Sequence, residues 1–215
     1  MKIGVLGSGV VGRRLAGGFA ANGHDVVLGT RDPKKPELVA WQKETGAKAA
    51  LGSFSDAAQH GDLVVLACLG HAVDSVLTLA GEPHLANKVL IDATNPLDVS
   101  KGMPPGLFVG MTDSLGEQVQ RRLPSTKVVK CFNTVSNVTM VHPKMEQGLP
   151  TMLIAGNDAD AKRQVAGLLR EFGWDPPIDV GGIDGARWLE AFVPLWVRIA
   201  QASGTWTPAI KVLTK

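Results

Sequence analysis

Three glycines near the N-terminus, Gly7, Gly9 and Gly12, have the spacing G-x-G-x-x-G. In a turn between a strand and a helix, the first glycine allows the tight bend and the second lets a pyrophosphate approach the backbone. The third lets helix and strand pack closely. The phosphates would lie against free N–H groups at the start of the helix. A purely structural glycine-rich turn is the alternative, and we favour a dinucleotide site.

The elements around the glycines agree with that interpretation. Lys2–Leu6 is an apolar run of strand length, a helical pattern runs from Val10 to about Asn22, and Val26–Leu28 is a second apolar run. Gly23 is a plausible helix stop. Because a strand precedes the motif, a helix follows it and a second strand comes after the helix, the pattern predicts a βαβ unit.

The end of the second predicted strand indicates which dinucleotide binds. NAD sites usually place an Asp or Glu there to accept from the ribose 2′-hydroxyl. This chain has Thr30 and Arg31, with Lys34 and Lys35 just beyond. A guanidinium can bind a 2′-phosphate in bidentate fashion, so we favour NADP over NAD. Asp32 leaves NAD open, although Asp followed by Pro also opens turns.

The rest of the chain continues to alternate strands and helices, which predicts an α/β, Rossmann-like, doubly wound and mostly parallel sheet. Asp62–Cys68, Lys88–Ala93 and Lys127–Phe132 are apolar without alternation, as parallel strands covered on both faces are. The loop over Thr94–Gly110 is long enough to be functional. The amphipathic Ile183–Ala202 segment predicts a helix that packs on the core and partly on a second subunit. We divide the chain into an NADP-binding domain, 1–182, and a C-terminal helix and tail, 183–215.

In an open α/β sheet the ligand lies over the carboxyl ends of the strands. We therefore expect the strand ends after Cys68, Ala93 and Phe132 to surround the nicotinamide. The residues at these ends that are predicted to bind the cofactor are Cys68, Leu69, Gly70, His71, Thr94, Asn95, Pro96 and Asn133.

Three of those residues are candidates for catalysis. His71 is a candidate proton donor, because histidine is the side chain that most often exchanges protons near neutral pH, and the alternative is a helix-start histidine paired to backbone. The amides of Asn95 and Asn133 could hold the carboxamide or the acceptor ring, and the alternative is that both cap loops. Hydride transfer between two bound rings mostly requires positioning, so the lack of an evident catalytic triad is compatible with an enzyme.

Composition excludes several other classes of protein. The formal net charge is +2 with basic residues spread out, so no nucleic-acid surface is expected, and no apolar run is long enough for a membrane helix. The N-terminal apolar run is interrupted by glycines and by Arg13-Arg14, unlike a signal peptide. Cys68 and Cys131 match no metal or redox spacing, so we expect no metal and a reduced cytoplasmic setting.

The segments GSGVVG, GTRDP, DATNPL and KCFNT, with the terminal GARWLEAF, GTW and IK, are similar to those of the NADPH:coenzyme F420 oxidoreductase family. They also resemble the cytoplasmic domain of the STEAP metalloreductases. The resemblance implies a single Rossmann-like domain, extended by extra strands and a C-terminal helix, that pairs as a homodimer. It also implies a 2′-phosphate site at Ser8, Thr30, Arg31 and a lysine at 34 or 35. Gly9, Val10 and Val11 would face the pyrophosphate.

The resemblance implies hydride transfer between NADPH and coenzyme F420 or a flavin-like acceptor such as FMN. The chain departs from the family after the fourth strand, where Cys68-Leu69-Gly70-His71 replaces a proline and a bulky aromatic. In the family that turn lies near the nicotinamide. The altered residues therefore bear on recognition of the deazaflavin ring rather than on hydride transfer itself. The alternatives are reduction of another small acceptor, including ferric chelates through a flavin, and a non-catalytic NADP sensor or scaffold.

Overall fold

The computed structural model describes residues 1–213, so the last two residues of the predicted tail lie outside the described part. Strands and helices alternate along it. The strands are β1 (Lys2–Leu6), β2 (Asp25–Gly29), β3 (Ala49–Gly52), β4 (Leu63–Leu66), β5 (Val89–Asp92), β6 (Leu97–Asp98), β7 (Gly106–Leu107), β8 (Lys127–Lys130), β9 (Leu153–Gly156) and β10 (Ile178–Asp179). The helices are α1 (Val10–Ala21), α2 (Pro36–Thr45), α3 (Phe54–His60), α4 (Val73–Ala80), α5 (Leu115–Arg122), α6 (Ala159–Glu171) and α7 (Ala186–Ser203).

Eight of the strands form one sheet in the order β10-β9-β8-β5-β4-β1-β2-β3. Strands β8 and β9 are antiparallel, and every other neighbouring pair in this sheet is parallel. The predicted Rossmann-like, mostly parallel sheet is therefore confirmed. The two remaining strands, β6 and β7, pair as a small antiparallel hairpin within the loop predicted over Thr94–Gly110.

A hydrophobic core covers each face of the sheet, because successive strand residues point to opposite faces. Val65 of β4 belongs to the core formed with α1, α2 and α6, and the next residue, Leu66, belongs to the core formed with α3, α4 and α5. Both layers close over strands that are buried along most of their length. Because neighbouring strands here are parallel, their carboxyl ends lie at one edge of the sheet, at β1, β2, β4, β5 and β8.

Helix α7 has a buried and an exposed apolar face. It was expected to pack on the core and partly on a second subunit, and Leu189, Val193 and Val197 are buried against the core. Trp188 and Leu195 are exposed, and packing on a second subunit stays a prediction. The tail beyond α7 folds back against that helix, where the Trp196 Nε1 donates to the Pro208 carbonyl at 2.8 Å. The proposed division at residue 183 stays a prediction.

The structure also bears on two classes of site. Within residues 1–213, no helix has both the length and the apolar character needed to cross a membrane. In the same part of the chain, no three His, Cys, Asp or Glu side chains are grouped so as to hold a metal ion.

Candidate functional site

The glycine turn between β1 and α1 has the geometry that its spacing predicts. Gly7 has a φ of +131°, which favours glycine, and its N–H donates to the Gly29 carbonyl at 3.1 Å. A Cβ on Gly12 would lie 1.8 Å from the Gly7 carbonyl oxygen, so helix and strand pack as closely as expected. A Cβ on Gly9, in contrast, would meet no protein atom within 4 Å.

The start of α1 is free of competing groups. Gly9 is its N-cap residue, no side chain caps the helix, and its first turn contains no acidic residue. The first N–H groups of a helix need acceptors, and the helix dipole favours an anion there. Val10 is exposed and Val11 is half-buried at this end. These residues fit a dinucleotide pyrophosphate, which supplies acceptor oxygens and negative charge.

The structure brings Ser8 and Thr30 together at the ends of β1 and β2. The Ser8 hydroxyl donates to the Thr30 Oγ1 at 3.0 Å, and Thr30 is buried. Arg31 is exposed beside them, and no hydrogen bond or ion pair engages its guanidinium within residues 1–213. Lys35 is exposed at the start of α2. This end of the site therefore offers two cations and two hydroxyls.

Asp32 is used by the local turn. Its Oδ1 accepts from the Lys34 N–H at 3.0 Å, which is the turn interpretation that the sequence offered. The Asp32 carboxylate thus accepts a backbone hydrogen bond, and the exposed guanidinium of Arg31 lies next to it in the chain. This arrangement favours a phosphate-bearing ribose over one that is read by a carboxylate.

The amides of Asn95 and Asn133 meet across the ends of β5 and β8. Asn95 Nδ2 donates to the Asn133 carbonyl at 3.0 Å, and Asn133 Nδ2 donates to the Asn95 Oδ1 at 3.0 Å. Both side chains therefore bind protein groups, as the loop-capping alternative requires. Two atoms nevertheless remain buried without a hydrogen-bond partner in the described part of the chain, Asn133 Oδ1 and Thr134 Oγ1. Such atoms usually have a partner, so this edge of the sheet fits a polar ligand group.

The turn after β4 lies against the same edge. A Cβ on Gly70 would lie 2.3 Å from the Asn95 carbonyl oxygen, so the two strand ends touch. Thr94 and Pro96 are buried next to this contact, and Leu69 is exposed. Burial, with a smaller contribution from Asp92, raises the pKa of the Cys68 thiol to about 12. The Cys68 thiol is therefore uncharged at physiological pH where it lines this edge of the sheet.

His71 lies in the turn that leads into α4. Its ring stacks on Phe108, with centroids 4.2 Å apart and an interplanar angle of 32°. Neither ring nitrogen has a hydrogen-bond partner among residues 1–213, so the alternative of a backbone-paired histidine is wrong. The ring also borders a cavity of about 160 Å³ between α4 and α5. Its role as a proton donor stays a prediction.

Sequence reasoning missed a group of buried charges beneath this edge. Lys130 of β8 is fully buried, and its Nζ lies 2.9 Å from Asp92 Oδ2 and 2.7 Å from Glu190 Oε1. A signal existed, because each of these residues interrupts an apolar run, in VLIDA, KVVKCF and RWLEAF. Charged residues are almost never buried unpaired, so three such interruptions predict that they pair with one another.

A parallel α/β sheet with an uncapped, anion-accepting glycine turn and polar strand ends defines a dinucleotide-binding protein of the Rossmann class. Residues 2–96 match the family model described as NADP oxidoreductase, coenzyme F420-dependent. The F420-dependent NADP reductase of Methanothermobacter thermautotrophicus is 30% identical to this chain, over 93% of the chain and 89% of that protein. The chain belongs to the family of F420-dependent NADP reductases.

Two further relatives extend the comparison. A crystal structure from Arthrobacter sp. FB24, named provisionally as an F420-dependent NADP-reductase, is 44% identical over the whole of both chains, with a TM-score of 0.95. The metalloreductase STEAP3 of Rattus norvegicus is 30% identical over 90% of this chain. The chain spans only 36% of the length of that metalloreductase. The predicted family resemblance is confirmed.

Proposed function

We propose that this protein is an NADP(H)-dependent oxidoreductase that passes a hydride between NADPH and coenzyme F420 or a flavin-like acceptor. The observation that carries the proposal is the uncapped start of α1 at Gly9, set beside the free guanidinium of Arg31. Together they provide for the pyrophosphate and the 2′-phosphate of one dinucleotide. Membership of the F420-dependent NADP reductase family supports the choice of acceptor.

The roles of the residues follow from their positions at the strand ends. Gly9, Val10 and Val11 would bind the pyrophosphate, in a cofactor-binding turn that Gly7 and Gly12 shape. The groups at the 2′-phosphate end are Ser8, Thr30, Arg31 and Lys35. The nicotinamide would lie over the ends of β4, β5 and β8, at Cys68, Leu69, Gly70, His71, Thr94, Asn95, Pro96 and Asn133.

Hydride transfer mainly requires that the nicotinamide and the acceptor ring be held in position. Asn95 and Asn133 would orient the nicotinamide carboxamide or the acceptor, and His71 would donate the proton that accompanies hydride transfer. Leu69, Val10 and Phe108 are exposed apolar side chains near the same strand ends. They offer apolar surface to a flat acceptor ring where the chain departs from the family pattern at positions 68–71.

The proposal includes a homodimer in the cytoplasm. Trp188, Leu195 and Ile199 are exposed along one stripe of α7, and a stripe of this kind is typical of a protein interface. Cys68 and Cys131 are free thiols, which suits a reducing compartment. The partner is a second copy of this chain, and the substrate is a small redox acceptor.

The test is anaerobic oxidation of NADPH by the purified protein with coenzyme F420, FMN or no acceptor. NADH is run alongside. We expect turnover with F420 as the acceptor. The donor should be NADPH and not NADH. Turnover with FMN alone would favour a flavin over coenzyme F420 as the acceptor. Tight NADPH binding without turnover with either acceptor would overturn the proposed enzymatic function and favour an NADP sensor.

Arg31→Ala tests the coenzyme preference. A charge-assisted hydrogen bond is worth about 1.5–3 kcal/mol, so the KM for NADPH should rise roughly 10- to 100-fold while the activity with NADH stays low. Lys43→Ala, which removes an exposed cation from α2, is the matched control and should leave the KM unchanged. An unaltered KM in Arg31→Ala would contradict the assignment of the 2′-phosphate site.

A further inference from the structure

Thr94, at the end of β5, is held by charged groups on both sides. Its N–H and its hydroxyl donate to the Asp92 Oδ1 at 2.9 and 2.6 Å. Its carbonyl accepts from the Lys130 Nζ at 2.8 Å, and the same ammonium donates to the Asp92 Oδ2. All the polar backbone and side-chain atoms of Thr94 are thereby fixed in place. The segment that continues into Asn95 leaves the sheet from a rigid position.

Two consecutive residues of α7 close this arrangement into a ring. The Asn133 Nδ2 donates to the Asn95 Oδ1 and to the Leu189 carbonyl, each at 3.0 Å. The next residue, Glu190, accepts from the Lys130 Nζ through its Oε1 at 2.7 Å. The ring thus passes from Lys130 through Thr94, Asn95 and Asn133 to α7, and returns through Glu190. We call it the α7 ring.

Glu190 is itself firmly held. Its Oε2 accepts from the Leu115 N–H at 2.8 Å, and its Oε1 accepts from the Gly116 N–H at 2.9 Å, at the start of α5. Burial raises the pKa of Glu190, against the opposing effect of Lys130. Burial alone would lower the pKa of Lys130, but Asp92 and Glu190 raise it. The ammonium therefore stays charged and keeps its three acceptors.

We propose that Glu190 is a positioning residue for the nicotinamide end of the site, acting through Lys130 and Thr94 on Asn95 and Asn133. This inference rests on the proposed function. Among the strands of the sheet, the α7 ring involves only the ends of β5 and β8, whereas the proposed 2′-phosphate end lies on β1 and β2. A disturbance of the ring therefore changes the geometry at the nicotinamide and leaves the adenosine half of the coenzyme bound as before.

The matched control lies between the same two helices. Glu117 of α5 accepts from the Arg187 guanidinium of α7 at 2.6 and 2.8 Å. That pair also ties α5 to α7, but it makes no hydrogen bond to Thr94, Asn95 or Asn133. A loss of α5–α7 packing affects both pairs alike, and a loss of positioning affects only Glu190.

The experiment compares Glu190→Gln with Glu117→Gln in the 215-residue chain. Affinity for 2′,5′-ADP reports the adenosine half, and the ratio of the NADP⁺ affinity to the 2′,5′-ADP affinity reports the nicotinamide half. We expect Glu190→Gln to bind 2′,5′-ADP as the wild type does, to lose the extra affinity for NADP⁺, and to turn over roughly 10- to 100-fold more slowly. Glu117→Gln should keep the affinity ratio and the turnover.

Equal effects of the two substitutions, or an unchanged affinity ratio in Glu190→Gln, would overturn the proposal. Should Glu190→Gln not fold, Glu190→Asp, which keeps the charge and shortens the side chain, takes its place with the same expected pattern. If neither variant folds, the role of Glu190 is in the stability of the fold alone, and the proposal of a positioning role is overturned. The two affinities need no turnover, so an inactive wild type would refute the proposed function and leave this test in force.

Discussion

Within the glycine turn, Gly9 and Gly12 are in opposite surroundings. Gly12 lies against the Gly7 carbonyl, where a Cβ would come within 1.8 Å of the oxygen. Gly9 has a φ of −69°, which any residue can adopt, and a Cβ there would point into open space. The motif therefore combines a glycine that packing requires with one where a side chain would meet no protein atom within 4 Å.

This contrast gives a paired prediction. Gly12→Ala must push helix and strand apart and should destabilise the fold by about 1–3 kcal/mol. Gly9→Ala should change stability by no more than about 1 kcal/mol, since only the N-cap preference is altered. Its methyl group would nevertheless displace the pyrophosphate and weaken NADPH binding roughly tenfold or more. Urea unfolding and NADPH titration of both variants check this. Wild-type NADPH affinity in Gly9→Ala would contradict the placement of the pyrophosphate.

The residues proposed to bind the phosphates could be named from the sequence because their spacing is local. Ser8, Thr30 and Arg31 lie within one βαβ unit, where a short motif fixes the geometry. The partners of Lys130 are far away in the chain, since Asp92 is 38 residues before it and Glu190 is 60 residues after it. Nothing local links residues at such separations. Only the order of strands in the sheet brings β5, β8 and α7 together.

The helices α5 and α7 are joined by the pair of Glu117 and Arg187, which gives the fold a specific response to acid. The hydrogen bond from Arg187 is the main cause that lowers the pKa of Glu117 from its ordinary value of 4.5, and burial opposes it. Ser114 also donates to the carboxylate at 2.8 Å. In the window between the lowered pKa and 4.5, the unfolded state binds more protons than the folded state. Stability from this pair is therefore present above about pH 4.5 and is lost as pH falls through the folded pKa.

Glu117→Gln should consequently lower the free energy of unfolding by about 1 kcal/mol at neutral pH. The deficit relative to the wild type should shrink as pH falls from 4.5 through the folded pKa, because proton binding by the unfolded wild type offsets the stability that the charged carboxylate gives the folded state. Urea unfolding of both proteins at pH 7 and pH 3 measures the two differences. A deficit of the same size at both values would show that the substitution acts through packing and not through the charge.

The elements of the main sheet were predicted more readily than their arrangement. Apolar runs bounded by glycine or polar residues gave β1, β4, β5 and β8 to within two residues at each end. The direction of β9 was not predicted, because an apolar run of four residues looks alike in parallel and antiparallel sheets. The β6–β7 hairpin was missed for a similar reason, since two residues are too few to show a period.

For the whole molecule, α7 combines the α7 ring on its buried face with the exposed apolar stripe on its other face. Trp188, Leu195 and Ile199 recur at helical spacing along that stripe. Exposed apolar patches of this kind are typical of interfaces between subunits. A second copy that packs its own α7 against the stripe would also restrain the helix that carries Leu189 and Glu190. The proposed dimer would in this way stabilise the nicotinamide end of each site.

The dimer is tested by placing a charge at the centre of the stripe. Leu195 is 56% exposed, so Leu195→Glu should fold normally as a monomer and should prevent association through desolvation of the new carboxylate. Light scattering after gel filtration should give the monomer mass of 22.7 kDa for the variant and twice that for the wild type. Val39→Glu, at a 49% exposed position on α2, is the matched control and should remain dimeric. A monomeric wild type, or a dimeric Leu195→Glu, would refute the interface on α7.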